Sequence, residues 1–261
     1  MTNFLLALTV FLTLFIVFFA SVMTGYRFGV FRKTKSQQNH LEIVRVAEGT
    51  VFALFGLLVA FSFSGSYSRF EDRKVKIIAE VNAIENAYQY TELLEPASRV
   101  VMRDLIRQYI DFRIAAYQQF AEFTGFEQQM DRFNKMENVV RHNAMQAIIK
   151  TNNNSASLLF APAISDMLEI ANTRILITRI HPAGQIFFLL IGLGALSAFL
   201  LGINMAKKQK FSTVDVLCFV AITAYTLYVI IDMEYPRVGM IRVNTFDNFL
   251  VETKDRLSQD Q

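Results

Sequence analysis

Glu48, Phe52, Phe55, Val59, Ser62, Ser66, Arg69 and Arg73 recur at intervals of three or four residues. A helix places such residues on one face. That face is aromatic in its middle and ionisable at both ends, and two readings of it stand side by side. Turned toward an axis shared by several copies, Phe52, Phe55 and Val59 form a hydrophobic constriction that gates by dewetting, and the charged ends bias ion entry. Turned toward its own chain, the same face holds packing residues, and the charges mark the membrane interfaces.

The helix wheel has two further faces. Gly49, Ala53, Gly56, Ala60, Ser64 and Ser68 form a repeated small-xxx-small pattern. It lets helix backbones approach closely where water does not drive association, and it implies a homo-oligomer. Leu54, Leu57, Leu58 and Phe61 make a bulky apolar face that suits lipid or a neighbouring span.

Other chemistry is sparse. The chain has no HExxH, P-loop, GxSxG or nucleotide-binding glycine fingerprint. His40, His142 and His181 have no partner at metal-ligand spacing, and no cofactor or metal is expected. Glu122/Glu127 and Asp104/Asp111 are separated carboxylates, expected to be solvated or ion-paired. Cys218 is the single cysteine, so no intramolecular disulfide can form. Nothing here argues for an enzyme.

The elements that carry these residues follow from hydropathy. Of 261 residues 53% are hydrophobic, and the mean hydropathy is +0.31. Four apolar runs approach the roughly 20 residues that cross a bilayer as a helix: Phe4–Met23, Thr50–Ser66, Gln185–Met205 and Val214–Ile231. The first also has the look of a signal peptide. Its length and the lack of any basic residue before Arg27 favour a retained span.

The net charge of +3 is not a nucleic-acid signature. The block Tyr67–His181 carries 14 Lys/Arg and 14 Asp/Glu. The basic excess sits beside the membrane, at Arg27, Arg32, Lys33, Lys35 and Arg45 and at Lys207, Lys208 and Lys210. The positive-inside rule puts those short loops in the cytoplasm and the central block outside. Arg69, Arg73, Lys74 and Lys76 argue weakly the other way.

The central block reads as helix throughout. Val75, Ile78, Val81, Ile84 and Tyr88 continue the second span past the membrane edge without a break. Such a helix is either a gating lever or a simple way to hold a bundle upright. Pro96 suits the first turn of the next helix, where its missing N–H costs nothing. Helices are expected from there to about Gly125, over Glu127–Lys150 and over Ser155–Ile180, and Thr151–Ser155 interrupts the last two. The expected class is all-α: four transmembrane helices, with an extramembrane helical bundle inserted between spans two and three. The segments are 1–66, 67–182, 183–235 and a polar tail, 236–261, whose end Thr253–Gln261 is expected to fray. Asp232 and Glu234 are expected to pair with Arg237 and Arg242 or with the Arg69–Lys76 region, or else to mark the interface together with Tyr235.

Arg69–Pro96, RFEDRKVKIIAEVNAIENAYQYTELLEP, resembles the segment after the second span in the bestrophin-like family of bacterial membrane proteins. Met102–Tyr117 (MRDLIRQYIDFRIAAY), Asp232–Asn244 (DMEYPRVGMIRVN) and RIHPAGQIFFLLIGLGALSAFLLG fit the same family in the same order. Bestrophins proper are ring-shaped anion channels with four spans per subunit and a helical domain between spans two and three. The resemblance therefore implies an oligomeric channel in the bilayer of a bacterial inner membrane, conducting a small inorganic ion. The chain departs from bestrophins in lacking their neck sequence and in the side to which its charges assign the helical block. The alternative is a non-conducting membrane-anchored interaction or assembly protein.

Overall fold

A computed structural model describes residues 2–32, 41–120, 126–151, 154–178, 180–208, 212–235, 239–241 and 244–259. All the regular structure among them is helical. The elements are α1 (Thr2–Arg32), α2 (Leu41–Gln89), α3 (Pro96–Phe120), α4 (Phe126–Thr151), α5 (Ala161–Ile177), α6 (Gly184–Lys208), α7 (Thr213–Glu234) and α8 (Asn244–Gln259). A 3₁₀ turn (Tyr90–Leu93) precedes α3, and a π turn (Ala156–Phe160) leads into α5. Among the described residues four helices are long and apolar enough to cross a membrane: the stretches Phe4–Phe31, Glu48–Leu93, Gly184–Ala206 and Thr213–Glu234.

The chain forms two compact units, Met1–Phe70 with His181–Arg242, and Glu71–Ile180 with Val243–Gln261. Helix α2 belongs to both and is unbroken across the boundary.

The first unit is built around α1, α6 and α7. Leu14, Phe18 and Val22 of α1 are buried with Leu190 and Ala198 of α6 and Val216, Val220, Ala224 and Leu227 of α7. Glycine sets how closely α1 and α6 pack. A Cβ on Gly25 would stand 2.0 Å from the carbonyl oxygen of Phe199, and one on Gly202 would stand 2.1 Å from that of Val22. Only hydrogen fits where the two backbones touch, and such contact is how helices associate inside lipid. Ser212 caps α7 by accepting the backbone N–H of Asp215 (3.3 Å).

The second unit is a water-type core. Ile84 and Tyr88 of α2 meet Met102, Ile106 and Ile110 of α3, Val140 and Ala144 of α4, and Met167 and Leu168 of α5. The three- and four-residue spacings of these apolar positions form the stripes that each helix buries. Helix α3 begins at Pro96, and α4 ends at Thr151, as the local sequence signals require. Thr151 Oγ1 accepts the backbone N–H of Glu95 (3.0 Å), which ties those two ends together.

The C-terminal segment differs from the expected frayed tail. It is helix α8, with Leu250, Thr253 and Leu257 buried against the second unit's core. Arg107 donates to the carbonyl of Leu257 through Nη2 (2.9 Å) and to Tyr88 Oη (2.7 Å), and Lys254 pairs with Asp111 at 2.5 Å. The Asp111 hydrogen bond holds the Lys254 ammonium above the usual lysine pKa. A spacing of three then four apolar-facing residues, with polar groups between, carries the helix that polarity alone conceals.

Candidate functional site

Within the first unit, the aromatic stripe of α2 faces the other apolar helices of its own chain. Phe52, Phe55, Val59 and Ser62 are half-buried and Ser66 is buried. The Phe52 ring meets Phe219 of α7 edge-on at 6.1 Å. Phe55 and Phe18 press on Gly194 of α6, where an added Cβ would lie 3.0 Å from the Phe18 ring and 3.3 Å from the Phe55 ring. Glu48 accepts a hydrogen bond from Asn204 Nδ2 of α6. The small-residue face points away: Gly49, Ala53, Gly56, Ala60 and Ser64 are exposed, and no atom lies within 4 Å of a Cβ built on Gly49 or Gly56. Leu54, Leu57 and Phe61 are exposed as well, whereas Leu58 packs on the core. Helix α2 is the least covered of the four apolar helices, with 6% of its apolar window buried inside the chain against 22%, 28% and 39% for α1, α6 and α7.

The ionisable end of the stripe builds a cluster. Glu234, the last residue of α7, is fully buried. Arg69 donates to its Oε1 through Nε (2.8 Å) and through Nη2, and Arg69 Nη2 also reaches Ser66 Oγ (3.4 Å). His181 Nδ1 stands 4.0 Å from the other carboxylate oxygen, Oε2. The His181 ring stacks on Tyr235 at 4.8 Å. One carboxylate thus draws together residues from α2, from the end of α7 and from just before α6. The pairing of Glu234 with the Arg69 region is one of the two charge partnerships the sequence left open. Arg237 and Arg242 lie outside the described residues.

Asp232 has a different role. It is buried and accepts the backbone N–H groups of Met240 (3.0 Å) and Ile241 (2.7 Å). A Cβ on Gly239 would fall 1.9 Å from Asp232 Oδ1, so glycine is what lets the loop close over the carboxylate.

In the second unit, Arg73 is buried and donates to the carbonyl of Ile180 (3.3 Å). Deeper in that unit, Glu80 accepts from Arg113 Nε at 2.5 Å and from Arg174 Nη1 at 2.5 Å, with all three side chains buried. Arg113 also donates to the carbonyl of Ala171 (3.3 Å) and lies over the Phe133 ring at 5.1 Å. This triad binds α2, α3 and α5 into one core. Sequence reading did not find it, because isolated charges on amphipathic helices look the same whether solvated or buried. The one usable signal was that Glu80, Arg113 and Arg174 each share the three- and four-residue spacing of their helix's apolar stripe. Asp104 accepts from Gln108 (2.7 Å) and Asp111 pairs with Lys254, in line with the expected solvated or paired carboxylates. The side chains of Glu122 and Glu127 lie outside the described residues. Among the described residues no group of His, Cys, Asp or Glu is arranged to hold a metal ion.

A family model for the bestrophin-like domain matches residues 13–246. The chain belongs to the bestrophin-like family. Its fold is shared by the crystal structure of a membrane protein, at 13% sequence identity, a TM-score of 0.67, and coverage of 95% of this chain and 97% of that one. At that identity the likeness is one of fold. No curated protein matches the chain. The apolar helices and the family together identify an integral membrane protein.

Proposed function

We propose that this bestrophin-like protein is an oligomeric ion channel in which α2 of each copy stands next to a shared axis. The observation that carries the reading is the coverage of α2. It is the span that its own chain leaves most open, and its open side includes a run of small residues, Gly49, Ala53, Gly56, Ala60 and Ser64. Small residues permit close approach between helices of different copies. Membership of the bestrophin-like family supports the same arrangement.

In this reading the residues of α2 that reach the axis are those that the chain itself leaves uncovered. The rings of Phe52 and Phe55 are engaged inside the chain. The axis-facing side is therefore the exposed one, with the small residues at its centre and Leu57 and Phe61 at its margin. A narrow apolar passage built this way still closes by dewetting and does not select the ion by itself. The partners in this reading are further copies of the chain, the bilayer and a small inorganic ion. The membrane is the bacterial inner membrane, with the central helical unit outside the cytoplasm.

The test is planar-bilayer recording from purified protein in which Cys218 has been replaced and single cysteines introduced at Ala53, Ala60 and Ile222. Ile222 is an exposed residue of α7. A thiol reagent is expected to block current at Ala53→Cys and Ala60→Cys and to leave Ile222→Cys unchanged. Absence of current from the unsubstituted protein under every voltage and salt tried selects the alternative, a non-conducting membrane-anchored assembly protein.

A further inference from the structure

Helix α8 lies across α2 and α3 with a basic residue on each side of its buried stripe. At about 100° per residue, Leu250, Thr253 and Leu257 share one face of the helix, and all three are buried. Lys254 stands on one flank of that face and Arg256 on the other. The two reach to different helices. Lys254 pairs with Asp111 of α3 at 2.5 Å, and Arg256 pairs with Glu85 of α2. Thr253 Oγ1 also donates to Glu85 Oε1 (3.3 Å). The remaining acidic side chains of this stretch, Glu252 and Asp255, are exposed on the far side of the helix.

Two kinds of force thus hold α8 down, and salt acts on them differently. Leu250 and Leu257 make an apolar seat, and charge screening does not touch an apolar contact. The two arms are ion pairs at the surface: Lys254 and Asp111 are 40% and 54% exposed, and Arg256 is 63% exposed. The screening length of simple salt falls from about 10 Å at about 0.1 M to about 3 Å at about 1 M. Pairs this exposed lose most of their attraction over that range. Arg107 lies beneath the last turn, half-buried, and donates to the Leu257 carbonyl (2.9 Å) and to Tyr88 Oη (2.7 Å). Its burial leaves it less screened than the arms.

The seat itself is narrow. Helix α3 sinks Met102, Ile106, Tyr109 and Ile110 into the same core with no exposure at all. An element with few buried apolar side chains opens locally before the core does, and the free energy of that opening is where a small electrostatic change becomes visible.

We infer that α8 is a salt-operated clasp. At low ionic strength its two basic arms close it over α2 and α3. As ionic strength rises the arms let go, and α8 lifts from its seat while α3, α4 and α5 stay folded. Opening uncovers Tyr88, Arg107 and the seat of Leu250 and Leu257. The second unit thereby responds to the ionic strength of the aqueous side on which it stands. The inference concerns contacts within one unit of one chain and holds whether or not the assembly conducts.

The experiment is amide hydrogen exchange, read by mass spectrometry, on the full chain in detergent micelles at the two salt concentrations above and one pH. The exchange rate of peptides from α8 is expected to rise about fivefold from low to high salt, the size set by two exposed pairs. Peptides from α3 and α5 should not change. Lys254→Met with Arg256→Met should exchange α8 quickly at both concentrations, so that the salt step disappears. Leu257→Ala, which weakens the seat and spares the arms, should speed exchange of α8 at both concentrations and keep the step. An α8 whose protection is indifferent to salt in the unsubstituted protein, or absent at both concentrations, overturns the clasp. So does a salt step shared equally by α5, or one that survives in full when both arms are removed.

Discussion

Glu80 and Arg174 lie 94 positions apart in the chain and meet at 2.5 Å inside a core from which water is excluded. Arg113 takes the other oxygen of the same carboxylate. A buried pair adds little net stability over an apolar replacement, but removing one partner leaves the other charge buried without it. Glu80→Gln is therefore expected to cost about 3–5 kcal/mol, because two guanidinium groups lose their counter-charge. The exposed pair Arg141–Glu137 is the control, and Arg141→Ala should cost less than about 1 kcal/mol. Unfolding followed by far-ultraviolet circular dichroism in detergent gives both values.

Tyr109, four residues before Arg113, is fully buried, and its hydroxyl has no hydrogen-bond partner among the described residues. Burial pushes that hydroxyl above tyrosine's ordinary pKa of 10.0, with Arg113 opposing the shift and Glu80 reinforcing it. The neutral form is thus favoured in the folded state. The stability this gives is present below pH 10 and is lost as pH rises through the folded-state value. Tyr109→Phe should remove part of the alkaline sensitivity. At pH 7 it should leave stability unchanged or raise it by about 1 kcal/mol, since an unpaired polar atom is deleted. A midpoint series from pH 7 to pH 11 on both proteins checks the sign.

Gly202 and Gly56 separate packing within a copy from packing between copies. A Cβ at Gly202 collides with the backbone of α1, whereas one at Gly56 meets nothing within 4 Å among the described residues. Gly202→Val is expected to lower the unfolding midpoint and the yield of folded protein. Gly56→Leu should leave the single-chain fold intact and shift the stoichiometry seen by native mass spectrometry. An unchanged assembly in Gly56→Leu, or a monomer in the unsubstituted protein, removes α2 as the contact between copies.

Sidedness is settled by Val100, an exposed residue of the central unit. With Cys218 replaced and Val100→Cys introduced, a membrane-impermeant thiol reagent should label intact spheroplasts. Protection until lysis places the central unit in the cytoplasm and overrides the charge bias of the short loops.

The spans were readable because a run of apolar residues in water has one common outcome, and a membrane helix needs little else. The Pro96 start and the Thr151 stop were readable because backbone chemistry decides them locally. The face of α2 was readable as a face, but its direction was not. Phe52 and Phe55 are equally suited to an axis and to Phe219 and Gly194, and only the third dimension distinguishes these. Glu80, Arg113 and Arg174 stayed hidden for a related reason: the partner of a charge is set by how helices cross, and one sequence carries no trace of which helix lies next to which. Glu234 and Arg69 were nearer to hand, since both stand where a span meets water. The helix over Asn244–Gln259 was missed because charge was weighed above the spacing of Leu250, Thr253 and Leu257.

The contact of α1 with α6 also bears on biosynthesis. Its glycines, Gly25 on one side and Gly202 on the other, are at opposite ends of the coding order. In order of synthesis α1 is complete long before α6, so its close-packing surface stays bare until everything between Arg32 and Gly184 has been made. Each nascent chain thus carries a sticky, backbone-exposing stripe without its mate for most of its synthesis.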